Sequence, residues 1–312
     1  MKRLTIFSFL VLVASGVLFG MTMYQRVLAT DTKGPKISIE SDDITVSISD
    51  PESALTSGVT ANDARDGDVT DTLVVESVSS FLDNTDHQRL ITYAAFDNSG
   101  NVTKATRKMQ YSDYTAIKLS LGAPLRFAAS SNGNTNILGS FSAWDCLEGD
   151  ITEKLNMNAG DDLAYDIAGD YDITVTVSNT MGDHESYPMT VTIYDQTAAS
   201  LQPQINLTDY LVYTAPGTKL NAEDYLDNIT IRGSKYKLTS EAGTYGIDTS
   251  EMEKEEREAF NKRDPEISYD YITIDDSNVD YNTPGTYEIK YIARDAEDNI
   301  GTVRLIVVVE EV

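Results

Sequence analysis

Ala61-Asn62-Asp63-Ala64-Arg65-Asp66-Gly67-Asp68-Val69-Thr70 and Ala143-Trp144-Asp145-Cys146-Leu147-Glu148-Gly149-Asp150-Ile151-Thr152 are one pattern written twice, 82 residues apart. Both carry aspartate at the third and eighth positions, an acid at the sixth, glycine at the seventh and two β-branched residues at the end. A weaker copy, one residue shorter, reads Ala222-Glu223-Asp224-Tyr225-Leu226-Asp227-Asn228-Ile229-Thr230. Self-similarity at a fixed spacing is the mark of a tandem array in which each repeat is one supersecondary unit.

Working outward, a second block follows each copy. It is Ile91-Thr92-Tyr93-Ala94-Ala95-Phe96-Asp97-Asn98-Ser99-Gly100-Asn101-Val102 in the first repeat. In the second it runs from Ile173 through Val175, Val177 and Asn179 to Gly182-Asp183, and in the third from Ile289 to Ile300. The distances from Asp63 to Asp97 and from Asp145 to Asn179 are both 34 residues, so two separate motifs share one offset. In the third repeat the matching distance, Asp224 to Asp295, is 71, which leaves an insert of about 37 residues over roughly 231–270.

The second blocks read as strand, tight turn, strand. Tyr287, Ile289, Tyr291 and Ala293 alternate with Glu288, Lys290, Ile292 and Arg294, the period of two expected of a half-buried strand. Val303, Leu305, Val307 and Val309 repeat it after the turn, as do Ile173, Val175, Val177 and then Met189, Val191, Ile193 in repeat 2. Each unit opens on a further pair of short strands: 36–40 with 44–48, 116–119 with 125–128, and 204–207 with 211–213. Many short strands with frequent turns in units of this size predict antiparallel sandwiches. The expected fold is therefore all-β, three tandem sandwiches at 34–111, 112–195 and 196–312, behind an N-terminal segment at 1–30.

The succession from Asp63 to Thr70, then Asp97–Val102, Pro284–Tyr287 and Asp295–Ile300, resembles the bacterial Ig-like module of pesticidal crystal proteins. Hyalin-type and cadherin-like surface repeats are similar in style. Repeat 2 departs from the pattern with Asn179 for Asp and Asp183 for Asn. Repeat 3 has Asn228 alone in place of the Gly-Asp of the first turn. The resemblance covers 34–311 and implies three Ig-like domains outside a bacterial cell, in spacer or adhesive roles, with no shared catalytic residue.

Export is also legible in the N-terminus. Leu4 to Tyr24 is a run of 21 residues without charge behind Lys2 and Arg3. As a helix at ~1.5 Å per residue it is long enough to cross the hydrocarbon core, with the basic end inside. The expected topology is a single-pass signal-anchor in the cell membrane with the C-terminal domains extracellular. A signal peptide cleaved near Ala29 is the alternative. Beyond residue 30 the chain carries 21 basic against 50 acidic side chains, a balance that repels nucleic acid. The one cysteine, Cys146, allows no intrachain disulfide and reads as a packing residue.

Three features invite chemistry. Asp63, Asp66, Asp68 and Asp71, and again Asp145, Glu148 and Asp150, crowd oxygen ligands around a glycine turn and are candidate calcium ligands. The competing reading is that these side chains cap backbone N–H groups of the turn. No other cofactor is expected. His87 and His184 are the two histidines, in different repeats, and neither accompanies a nucleophile motif, so no enzyme is expected. The insert of repeat 3 is the third feature. It holds a predicted helix over Glu251–Lys262, capped by Ser250 and Glu253, and candidate partner-binding residues Tyr236, Tyr245, Met252, Phe260, Tyr269 and Tyr271. The expected function is a membrane-tethered surface binding or adhesion array with repeat 3 as its tip, engaging a protein or glycan at the cell surface. A structural spacer, or an ectodomain subunit of an envelope assembly, is the alternative. A carbohydrate-binding module is a third reading, weakened by a single tryptophan, Trp144, expected to be packed in its turn.

Overall fold

The computed structural model describes residues 2–29, 31–82, 87–130, 135–160 and 163–311. It opens with helix α1 (Lys2–Ala29), whose segment Phe7–Arg26 is long and apolar enough to cross a membrane and has none of its surface buried by protein. The chain divides into two compact units, Met1–Tyr114 with Thr180–Gly182, and Thr115–Asn179 with Asp183–Val312.

In the first unit, β1 (Lys36–Ile39), β2 (Asp43–Val46), β3 (Val59–Asp63), β4 (Gly67–Asp68), β5 (Val74–Val78), β6 (Arg89–Phe96) and β7 (Val102–Tyr111) form a sandwich. One sheet has the order β1-β3-β4 and the other β2-β7-β6-β5. The opening strands do not pair with each other as the sequence suggested. Strand β1 runs antiparallel to β3 and β2 runs parallel to β7, so the chain changes sheet between residues 39 and 43. The switch lets one short segment close an edge of each sheet, which hairpin pairing would not do. Ile91, Tyr93 and Ala95 on the inner face of β6 are fully buried, each of the two larger side chains contributing about 2–3 kcal/mol of transfer free energy. The Tyr93 hydroxyl ends its path through the core by donating to Leu55 O at 2.7 Å.

The second unit holds two sandwiches. The first has β8 (Lys118–Leu121), β9 (Arg126–Ala128), β10 (Phe141–Asp145), β11 (Gly149–Asp150), β12 (Asn156–Asn158), β13 (Gly169–Ser178) and β14 (His184–Tyr194), in sheets β11-β10-β8 and β12-β13-β14-β9. A short helix, α2 (Gln196–Ala199), capped by the Asp195 carboxylate, leads onward. The last sandwich has β15 (Gln204–Leu207), β16 (Leu211–Thr214), β17 (Leu226–Ile231), β18 (Ser234–Thr239), helix α3 (Lys254–Phe260), β19 (Glu266–Ser268), β20 (Ile272–Asp275), β21 (Gly285–Arg294) and β22 (Ile300–Val309). Its sheets are β15-β17-β18-β19 and β16-β22-β21-β20, with β16 parallel to β22 as β9 is to β14. Three Ig-like sandwiches behind one apolar helix are thus present, each mixed rather than purely antiparallel.

Repeats 2 and 3 share a core. Strand β22 faces its own sandwich with Val303, Leu305, Val307 and Val309, while Ile306 and Val308 on its other face join the apolar cluster of repeat 2. Tyr213 crosses the same boundary, its hydroxyl accepting from Leu119 N at 2.6 Å and donating to Leu119 O at 3.0 Å. Arg304, only 13 % exposed, binds Asp170 at 2.5 Å and Glu288 at 3.1 Å, and Glu288 in turn accepts from Thr190 N. Burial raises the Glu288 pKa in spite of the neighbouring guanidinium.

The third repeat corrects two sequence expectations. The segment 231–270 is not wholly an insertion, because it supplies β18 and β19 to a sheet, with Ile267 fully buried. The true excursion lies between them, over residues 240–265. The helix is also shorter than Glu251–Lys262, and no Ser250–Glu253 capping box forms. Arg257 instead donates to the carbonyls of Thr249, Ser250 and Met252, which gathers the turn before the helix from its far side.

Candidate functional site

The repeated acidic motif builds the same turn in repeats 1 and 2. Asp63 Oδ1 accepts the N–H groups of Arg65 and Asp66 at 2.7 and 3.0 Å, and Asp145 Oδ1 those of Leu147 and Glu148 at 2.9 and 2.8 Å. Gly67 and Gly149 both have a φ near +78°, the left-handed conformation that lets the chain reverse there. Asp68 and Asp150 then accept from the N–H of Thr70 and Thr152. Most of the candidate calcium ligands are therefore employed in the turn. Asp66 accepts Asn98 N at 3.0 Å, Glu148 pairs with Lys154, and Asp71 is exposed.

The second block brings another carboxylate to the first. Asp97, 7 % exposed, lies by Asp63, 3 % exposed, and Asp31 joins them, with one oxygen of each carboxylate within 4.8 Å of the others. Asn101 ties this corner together, its amide donating to Asp97 Oδ2 at 2.7 Å and to Asp31 O at 3.2 Å. The N–H groups of Asp66 and Arg65 hold the Asp63 carboxyl below its ordinary pKa, against burial and the charge of Asp97. Burial pushes Asp97 the other way, but hydrogen bonds from Asn101, Ser99 and Gly100 outweigh it and keep that carboxyl low as well. Two buried carboxylates thus stay ionised side by side, with a third at hand. Asp97 and Asp31 were absent from the candidates drawn from the sequence, which grouped acids by nearness along the chain.

Repeats 2 and 3 treat the same corner differently. In repeat 2 the place of Asp97 is taken by Asn179, whose amide donates to Asp145 Oδ2 at 3.0 Å. In repeat 3 the ladders Ile37↔Ala61, Leu119↔Ala143 and Ile205↔Ile229 put Ile231, not Asp224, in the position of Asp63 and Asp145. The supposed third copy is therefore displaced: Ala222–Tyr225 is a turn before β17, and the chain reverses at Arg232-Gly233. Asp295, held low by the amide of Asn299 against its burial, has the cation of Arg232 close by, and Arg232 pairs with Glu297 at 3.0 Å. An amide answers the carboxylate in repeat 2, a guanidinium in repeat 3, and more carboxylates in repeat 1.

The aromatic candidates in repeat 3 divide into two groups. Tyr236, Tyr245 and Tyr271 stack edge to face with ring centroids 5.2 and 5.3 Å apart, over the repeat 3 core. The Tyr245 hydroxyl accepts from Ala296 N, so this trio is a staple that holds the excursion to the sandwich. Met252 and Phe260 are half-buried, and Arg263 lies over the Phe260 ring at 5.6 Å. Tyr269 alone lines an open groove of about 500 Å³ with Glu223, Asp224, Asp270, Ser240 and Ser268. Trp144 lies over Gly149 of its turn but is not buried there. It stands on the outer face of β10, 61 % exposed, because residues 141–145 alternate and positions 141, 143 and 145 face inward. Cys146 is half-buried, its thiol donating to Thr115 O at 3.2 Å, and His87 packs against Phe81 and Tyr114.

No family model matches the chain. An uncharacterized 81.3 kDa protein of Acholeplasma phage L2 is 21 % identical over 208 residues, covering 66 % of this chain, which spans 22 % of that protein's length. Among solved structures, a lipoprotein of Bacteroides thetaiotaomicron matches 61 % of the chain and 98 % of its own length, at 13 % identity and a TM-score of 0.23. The CBM51-2 and INT domains of Clostridium perfringens ZmpB match 49 % of the chain and 26 % of theirs, at 15 % identity and a TM-score of 0.20. The extracellular domain of protocadherin gamma B4 matches 90 % of the chain and 50 % of its own, at 15 % identity and a TM-score of 0.19. Likeness at this level places the chain in no family.

Proposed function

We propose that the protein is a bacterial membrane-tethered array of Ig-like domains that acts by binding, without catalysis, at the outer face of the cell membrane. The observation that carries this reading is the unburied apolar helix Phe7–Arg26, which leads within a few residues into a folded sandwich. Repeats 2 and 3, fused through one core, make up the second compact unit and offer the groove at Tyr269, whose carboxylates and hydroxyls suit a polyhydroxylated glycan or a basic protein surface. The test has two parts. Carbonate-washed membranes should retain the full-length chain, and release of a species starting near residue 30 would replace the anchor with a cleaved signal. Capture of envelope components by the full chain should fall on Tyr269→Ala with Asp270→Asn; unchanged capture would remove the groove from the proposal.

A second reading is favoured by the corner at Asp31, Asp63 and Asp97. Calcium takes six to eight oxygen ligands, and three carboxylates within reach of one another supply a hard-oxygen set. Bound there, a calcium ion would neutralise the corner and lock the start of repeat 1 to its second turn. Melting of the full chain in detergent should rise with millimolar calcium, and Asp97→Asn should abolish the rise by supplying the amide that repeat 2 already uses. No shift in the wild-type chain would discard the site.

A further inference from the structure

We propose that the pole of repeat 1 nearest the helix is itself a lipid-contacting surface, seated on the bilayer through Val74, Phe96 and Val102. This inference rests on the membrane tether proposed above. Phe96 and Val102 are directly paired at the end of the β6–β7 hairpin, and Val74 pairs with Ala94 one step away on the same outer face. These three side chains are 39, 47 and 47 % exposed, while Ala94 beneath them is buried.

The internal repeats act as controls for this patch. In repeat 2 the same ladder positions hold Asn156, Thr176, Ser178 and His184, all polar. In repeat 3 they hold Thr273, Ile292, Arg294 and Ile300. A sandwich of this type therefore does not need apolar residues at the tip of that sheet. Only the repeat attached to the helix has an exposed aromatic there with two apolar neighbours.

Chain length identifies the occupant. The apolar span ends at Arg26, α1 runs on to Ala29, and the Asp31 carbonyl is already bonded to Asn101 in the hairpin turn. Three helical residues at ~1.5 Å and two extended ones at ~3.5 Å place Asp31 at most roughly 12 Å from Arg26. The headgroup region on each side of a bilayer is about 5–8 Å deep, so even a fully extended link leaves Asp31 only a few ångström beyond it. The incoming chain passes close to the β7 backbone at this pole, since a Cβ on Gly34 would sit 2.6 Å from Thr103 Oγ1 and 3.1 Å from Val102 O. The tether therefore keeps the tip within reach of the interface, where apolar and aromatic side chains partition.

The test uses the full chain reconstituted in phosphatidylcholine vesicles brominated close to the headgroup. In a Trp144→Phe background, Phe96→Trp, and separately Val102→Trp, supplies the sole indole. Each reporter should lose most of its fluorescence to the brominated lipid, whereas Trp144 in the wild-type chain should lose little. Quenching at both reporters no greater than at Trp144, in protein that floats with the vesicles, overturns the lipid contact and leaves the tether standing. Protein that does not float with vesicles overturns the tether, and this inference with it.

Discussion

Two exchanged residues distinguish the first two repeats at their most buried polar corner, Asn179 for Asp97 and Asp183 for Asn101. Asn179 donates to Asp145 where Asp97 faces Asp63 with like charge. Asn179→Asp should therefore replace a hydrogen bond by a repulsion between buried carboxylates and cost about 1–3 kcal/mol, read as a lower denaturant midpoint for the unit containing repeats 2 and 3. Glu185 gives the other residue-scale prediction. Burial first, then Asp183 and Glu311, push its pKa up to about 7, with Lys118 opposing. The folded pKa lies above the unfolded one, so the folded state binds the proton more tightly, and stability is gained as pH falls from 7 towards 4.5. Below about pH 4 the low-pKa carboxylates, Asp150, Asp195 and Asp280 among them, take up protons and stability is lost. Melting temperature against pH should peak on the acid side of neutrality, and Glu185→Gln should remove the fall between pH 6 and 8.

At the scale of elements, β22 serves two sandwiches with its two faces. Its five consecutive apolar residues, Leu305–Val309, break the period of two expected of a half-buried strand, and the neighbouring repeat is the reason. A polar residue at Ile306 or Val308 would leave repeat 3's own core intact and strip the joint. Gly301 works at the start of the same strand: a Cβ there would lie 1.7 Å from Pro203 O, so no other residue fits without moving backbone. Gly301→Ala should destabilise by more than about 2 kcal/mol, well beyond the ordinary range for a surface change, measured by urea unfolding.

Across the whole molecule, the array is not three equivalent beads. Repeats 2 and 3 belong to one compact unit, joined by Ile306, Val308, Tyr213 and the Arg304 network. Calorimetry of the chain should show these two repeats melting in one transition, and Ile306→Asn should split it into two. A wild-type chain with separate transitions for repeats 2 and 3 would refute the shared core. The groove at Tyr269 lies on this pair.

The three sandwiches, the turn motif and the apolar helix were all determined by the sequence itself, because each depends on local pattern: a period of two, a glycine with positive φ, a run without charge. The structural role of Asp63 and Asp145 as turn acceptors was equally local. Tertiary structure alone decided which acids meet. Asp31, Asp63 and Asp97 lie far apart in sequence and converge because β3 and β6 pack across the sandwich and end at one pole, where Asn101 holds the Asp31 backbone beside them. It also decided that Trp144 faces out and that the insert is partly sheet. Only tertiary structure, again, gave repeats 2 and 3 a common core. Those outcomes depend on strand register and on which face meets a neighbour, and neither is written in the pattern of a single strand.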